Sequence, residues 1–176
     1  MKRARDSQKS RVYRSEKELM HSGKSFDTIE DIRKYVTKLI SQKWFKKHFI
    51  NTFINVRSGG SRWAVADLYG IRIPDLKWSK REMVVLHEIA HCVTRAVSTH
   101  DKEAGHGILY CKNYLKLVQH QVGKDVSEHL KKNFKEYGVK YCAKKNLSES
   151  QRTALKERAK INLSPIAAKH CDNKRG

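Results

Sequence analysis

The stretch SKREMVVLHEIAHCVTRAVSTHDKEAGHGILY, residues 79–110, decides how this chain is read. Inside it, His87-Glu88-Ile89-Ala90-His91 forms an H-E-x-x-H pattern. On a helix, positions four apart share a face, so His87 and His91 reach the same metal ion. Glu88 then stands beside the open coordination position, where it can take a proton from water. Ser79 with Glu82 reads as a capping box that starts the helix two turns before His87. From Met83 to Val97 the residues are apolar apart from His87, Glu88, His91, Thr94 and Arg95, the composition of a buried helix. Two histidines and a glutamate inside such a helix either hold a metal or satisfy one another as core hydrogen-bonding groups.

A catalytic zinc takes three protein ligands and keeps one position open. The metzincin spacing, H-E-x-x-H-x-x-G-x-x-H, would need glycine and histidine where Thr94 and Val97 stand, so it fails. His106 is the favoured third ligand: it ends the polar loop Ser98 to Gly105, and Gly107 behind it lets the backbone turn into a further helix. His100, Glu128 and Glu136 remain rivals.

The pattern His87-Glu88-x-x-His91, fourteen intervening residues, then His106-Gly107-Ile108-Leu109-Tyr110, resembles the SprT-like (Spartan-type) zinc metalloproteases. Asp101 to Gly107 and Cys111-Lys112 extend the likeness, and Trp78 to His91 is also similar to small metallohydrolases of phages and actinobacteria. The resemblance covers about fifty residues. It implies a zincin-like fold, with zinc held by His87, His91 and His106 and Glu88 as the catalytic residue. The paired CxxC zinc ribbon that SprT proteins often carry has no counterpart here.

Composition points to a partner. The 176 residues suit one domain with extensions, and the formal net charge of +20, from 38 basic and 18 acidic residues, calls for an anion, nucleic acid before membrane. No window is apolar enough to span a bilayer, and the basic N-terminus lacks the apolar stretch of a signal peptide. Four scattered cysteines, Cys92, Cys111, Cys142 and Cys171, suit reduced thiols in a cytoplasm, the host's if the gene is a phage's.

Along the chain, residues 1–24 hold eight basic and three acidic residues and read as a polar arm, or as a short helix ending near Gly23. A helix begins near Asp27, capped with Glu30, with Ile29, Ile32, Val36, Leu39 and Ile40 on its inner face. Phe49 to Val56, Trp63 to Tyr69 and Ile71 to Ile73 read as strands, with Ser58 to Ser61 as a turn and Pro74 as a stop. They suggest a small antiparallel sheet whose edge, within Trp63 to Ile73, would hold an extended substrate. Helices follow over 107–121, over a segment capped by Asp125 and stopped by Gly138, and over about 149–161. From Lys112 onward there are sixteen basic and six acidic residues.

The expectation is therefore an α+β, zincin-like minimal metalloprotease domain over 25–137, between a basic arm (1–24) and a basic helical extension and tail (138–176). The expected activity is zinc-dependent hydrolysis of peptide bonds in a protein associated with DNA. Glu88 acts as base, with an oxyanion donor to be drawn from Tyr69, Tyr110, His100 or Arg95. Two rivals remain. One is a non-catalytic nucleic-acid-binding or virion-associated protein whose zinc is structural, closed by His100 or Cys92. The other is a metallohydrolase of a non-peptide bond.

Overall fold

The computed structural model describes residues 5–49, 53–60, 62–67, 69–97 and 105–142. The chain divides into two compact units, Met1–Cys142 and Ala143–Gly176. The helix expected at 149–161, together with His100 and Cys171, lies outside the described residues. Within the first unit run α1 (Lys9–Glu16), a 3-10 turn (Lys17–Leu19), α2 (Ile29–Ser41), α3 (Lys43–His48), β1 (Asn55–Gly59), β2 (Val65–Asp67), β3 (Gly70–Pro74), α4 (Glu82–Val97), α5 (Ile108–Gln121) and α6 (Lys124–Glu136). The mixture is α+β. Among the described residues no helix is long and apolar enough to cross a membrane.

α4 is the centre of the core. Met83, Val85, Leu86, Ile89 and Ala90 are fully buried, and the helix packs against α5 and against β2 and β3. Its start differs from the expected capping box. The Ser79 hydroxyl is turned back onto the carbonyls of Pro74 (2.5 Å) and Leu76 (2.8 Å), so it does not cap. Residues 24–26 pin the helix instead: the Lys24 N–H donates to the Glu82 carboxylate at 2.7 Å, and Phe26 N–H to the Lys80 carbonyl at 2.9 Å. Gly23, at φ +81°, is required there, since a β-carbon would come within 2.5 Å of Glu82 Oε2.

α2 follows its apolar periodicity, with Ile32, Val36 and Leu39 buried, but Thr28 and Asp31 form its capping box, one residue later than expected. α6 begins at Gly123 with no side-chain cap, leaving Asp125 in the first turn, where its charge suits the helix dipole. Gly138 stops α6 as expected. At φ +66° it lets Val139 N–H reach the Phe134 carbonyl (2.7 Å) and its own N–H reach Lys135 (3.3 Å).

The sheet is mixed, not antiparallel. Its order is β1-β3-β2, with β1 parallel and β2 antiparallel to β3. Only β2 and β3 are joined tightly enough for a hairpin, and the Asp67 side chain accepts from the Tyr69 N–H (2.8 Å) to close it. The chain between β1 and β2 instead carries β2 past β3 to the opposite edge. Charge and close packing both favour that order. Arg57 and Arg72 face each other in the parallel pair, and Asp67 binds both, at 2.5 and 3.3 Å. At Gly70 a β-carbon would stand 2.1 Å from the Asn55 carbonyl oxygen.

Of the two readings of residues 1–24, the short helix agrees with the structure and the polar arm is corrected. Among its described residues Val12, Ser15, Glu16 and Leu19 are buried, and α1 packs on α6. Asn133 Nδ2 donates to the Ser15 carbonyl at 2.9 Å, and Arg11 Nη1 to the Gly138 carbonyl at 3.0 Å. Gln8 ties both ends of the unit together, donating to the carbonyls of His106 (2.6 Å) and Lys140 (3.1 Å). This unit therefore extends beyond the expected 25–137 at both ends. The physical reason is that buried polar groups with satisfied hydrogen bonds, rather than apolar ones, hold much of α1 in place.

Candidate metal centre

α4 places His87 and His91 one turn apart, and the turn before α5 brings His106 to the same point. The potential ligand atoms of His87, His91 and His106 all lie within 4.8 Å of one another. Among the described residues this is the one such group of metal-capable side chains. Cys92 is not part of it: its thiol is buried, and that burial pushes it up to about 12, so it stays protonated.

Each ring is held from behind. His87 Nδ1 lies 3.0 Å from Glu16 Oε2, and His106 Nδ1 lies 2.6 Å from Asp6 Oδ2. His91 hydrogen-bonds the backbone of Gly105. The two carboxylates put a proton on Nδ1 of His87 and of His106 and leave their Nε2 lone pairs facing each other at 3.3 Å. Two ring nitrogens about 2.0–2.1 Å from one tetrahedral zinc stand about 3.3 Å apart, so the residues fit a metal. The charges fit as well. Glu16 and Glu88 are buried and Asp6 is largely so, a concentration of carboxylate that a divalent cation neutralises.

Burial alone would depress the His87 pKa, but the adjoining Glu16 carboxylate more than offsets it and holds the ring above its usual value. Burial and the charge of His87 push His91 well down and His106 down. Glu88 is raised, chiefly by burial, with His87 opposing. Its carboxylate faces a cleft of about 630 Å³ lined also by Tyr13, Trp63, Val65, Trp78 and Val84.

The backbone of Ala66 hydrogen-bonds Glu88, and the Ala66 carbonyl accepts from Arg95 at 2.7 Å. β2 is thus the edge strand beside the site, but α4 already occupies its Ala66 backbone, leaving Ala64 and Val65 on the cleft side. That arrangement also uses Arg95 as a structural donor. Tyr110 is fully buried against His91, with ring centroids 4.3 Å apart, so it supports the ligand rather than facing the cleft. Tyr69 is exposed beside Arg57, away from the lining residues. Glu128 and Glu136 lie on the exposed side of α6 and are not in the cluster.

Sequence reasoning missed Asp6, Tyr13 and Glu16, all on the α1 segment. The Tyr13 ring stacks on His87 (centroids 5.3 Å, planes 8° apart) and meets His106 edgewise at 5.3 Å. Burial first, then the charges of Glu88, Glu16 and Asp6, push its phenol up to about 12, so it remains a hydrogen-bond donor. The available signal was chemical: a histidine ligand requires an acceptor on its other nitrogen, and Glu16 and Asp6 are two of the three acidic residues in the basic first 24. No protein-family model, curated protein or solved structure matches this chain.

Proposed function

We propose that the chain is a zinc-dependent peptidase whose metal is held by His87, His91 and His106. The observation carrying this reading is the convergence of three back-bonded imidazoles beside a buried glutamate on the wall of an open cleft. Bound zinc would supply Lewis acidity toward the scissile carbonyl and lower the pKa of water toward neutrality. Glu88, on the cleft wall beside the three histidines but outside their cluster, takes the proton of the attacking water and hands it on to the leaving amine. The Ala66 backbone holds Glu88 in orientation. Tyr13, stacked against His87 and facing the same cleft, supplies the donor for the developing negative oxygen. Trp63, Trp78 and Val84 give the cleft an apolar wall that suits a hydrophobic side chain of an extended peptide and sheds water.

The resemblance of His87 to His91 and His106 to Tyr110 to SprT-like metalloproteases supports peptide bonds as the substrate. The free thiols of Cys92, Cys111 and Cys142 suit a reducing compartment such as the cytoplasm.

The test is metal analysis combined with hydrolysis of a quenched-fluorescent peptide library. The expected result is about one zinc per chain and cleavage that a chelator abolishes and zinc restores. Full zinc with no cleavage of any peptide would favour the structural reading, and cleavage of ester or amide probes alone would favour the non-peptide one.

A further inference from the structure

With much of residues 5–24 folded against the metal centre, the positive charge there is not a free arm for an anion. The described surface offers another place. On α5, Lys112, Lys116 and His120 follow one another at four-residue spacing and so line one face, about 6 Å apart along the axis. α3 adjoins the end of that row. The Trp44 ring lies flat on His120, with centroids 4.0 Å apart and planes 7° from parallel, and the His48 ring is 6.0 Å from His120. Gln121 Nε2 reaches Gln42 Oε1 at 3.4 Å and fixes the two helices at this junction.

No carboxylate forms an ion pair with Lys112, Lys116, His48 or His120 among the described residues. The charges feel one another: burial and then Lys112 lower Lys116, while burial and then His48 and Lys116 lower His120. Lys112, His48 and His120 are exposed, as are Lys43, Lys46 and Lys47 along α3. Lysines in a row without a counter-charge suit a partner that carries regularly repeated negative charge. The flat Trp44–His120 stack, with His120 outermost and solvent-facing, adds a platform on which a base can lie.

We propose that the α3–α5 surface, built on Lys112, Lys116, His120, His48 and Trp44, is a binding face for single-stranded nucleic acid. The lysines neutralise successive phosphates and His120, backed by Trp44, stacks on a base. The face goes beyond the peptidase reading and does not depend on it, because none of its residues touches the metal ligands.

The test is fluorescence-anisotropy titration of labelled oligo-dT with the full chain at pH 8 over a series of salt concentrations. Wild type should bind with a salt slope well above two, at about 0.7 per phosphate contact. Lys112→Gln with Lys116→Gln should lower the slope by about 1.4 and weaken binding roughly tenfold at low salt. His120→Ala, which removes an uncharged ring at this pH, should weaken binding about fivefold or more with the slope unchanged. Lys131→Gln with Lys132→Gln on α6 changes net charge equally, and Lys131 already pairs with Glu128. These control substitutions should leave the slope near that of wild type. Circular dichroism checks that each variant folds. Three outcomes overturn the proposal: no wild-type binding at low salt, equal losses in the α5 and α6 variants, or tighter binding to phosphatidylserine vesicles than to oligo-dT. Binding is read without any hydrolysis, so a chain that binds DNA and cleaves nothing refutes the peptidase and leaves this face standing.

Discussion

Glu16 Oε2 stands 3.0 Å from Nδ1 of His87, so a helix near the start of the chain orients a metal-capable ring seventy-one residues later. Tyr114 also hydrogen-bonds Glu16, which leaves the carboxylate satisfied although it is almost fully buried. Glu16→Gln keeps the shape but removes the charge. Zinc affinity should fall roughly tenfold to a hundredfold, the range for losing an outer partner of a ligand, measured by chelator competition. Asp6→Asn should act in the same direction through His106. Unchanged affinity in both would show that the carboxylates do not tune the ligands.

Removing residues 1–16 tests whether α1 belongs to the folded unit. The deletion takes away Gln8, Val12, Ser15 and Glu16, all buried. A lowered melting temperature with lost zinc is expected. A truncated chain that melts like wild type and keeps its zinc would restore the view of this segment as an arm.

Glu88→Gln should retain zinc and fold, since Glu88 is not in the ligand cluster, while peptide cleavage falls on the order of a hundredfold or more. Loss of zinc on this substitution would make Glu88 a ligand. Unchanged cleavage would remove it from the chemistry.

Tyr13→Phe preserves the ring that stacks on His87 and deletes only the hydroxyl. With Tyr13 as the oxyanion donor, kcat should fall about a hundredfold with KM little changed. An equal loss in Tyr13→Leu and no loss in Tyr13→Phe would reduce Tyr13 to a packing role.

Acid should loosen the sheet through Asp67. Burial raises this carboxyl, but the Tyr69 N–H, Arg57 and Arg72 outweigh it and hold the pKa below the usual aspartate value. A depressed folded pKa gives stability that is present above about pH 4 and lost as pH falls through the folded value. Denaturant melts of Asp67→Asn should therefore be weaker than wild type near neutrality and converge with it in acid. A gap that stays constant between about pH 6 and pH 2 would show that the ionised form contributes nothing.

What the sequence disclosed and what it withheld divide along physical lines. α2, α4 and α5 carry apolar residues at helical spacing, and the His87–His91 pair with His106 emerges from spacing and chemistry. α1 was legible only as a short helix, one of two readings, and not as part of the core. Its inward positions are Gln8, Val12, Ser15 and Glu16, three of them polar, and hydrophobic periodicity cannot see a face held by hydrogen bonds. Capping motifs misled by a residue or two: α2 is capped by Thr28 and α6 starts from Gly123, while the Ser79 hydroxyl turns back onto Pro74 and Leu76. The strand order was hidden for a different reason. Three short strands specify their pleat but not their neighbours, and here the Arg57–Asp67–Arg72 cluster and the close approach at Gly70 favour the parallel pair.

Gln8 holds the carbonyls of His106 and Lys140 together, a contact spanning 132 residues of chain. Contacts of such long range close late, because a large loop must be ordered before they form. During synthesis the first helix emerges long before the partners that seat it. A ribosome-bound chain that has extended only through α4 owns both histidines of the H-E-x-x-H pair yet lacks His106 and the strand of backbone at residue 140. Such a nascent chain holds only two of the three histidines of the cluster, so a metal ion could find its full set of side chains only after the rest of the unit has been made.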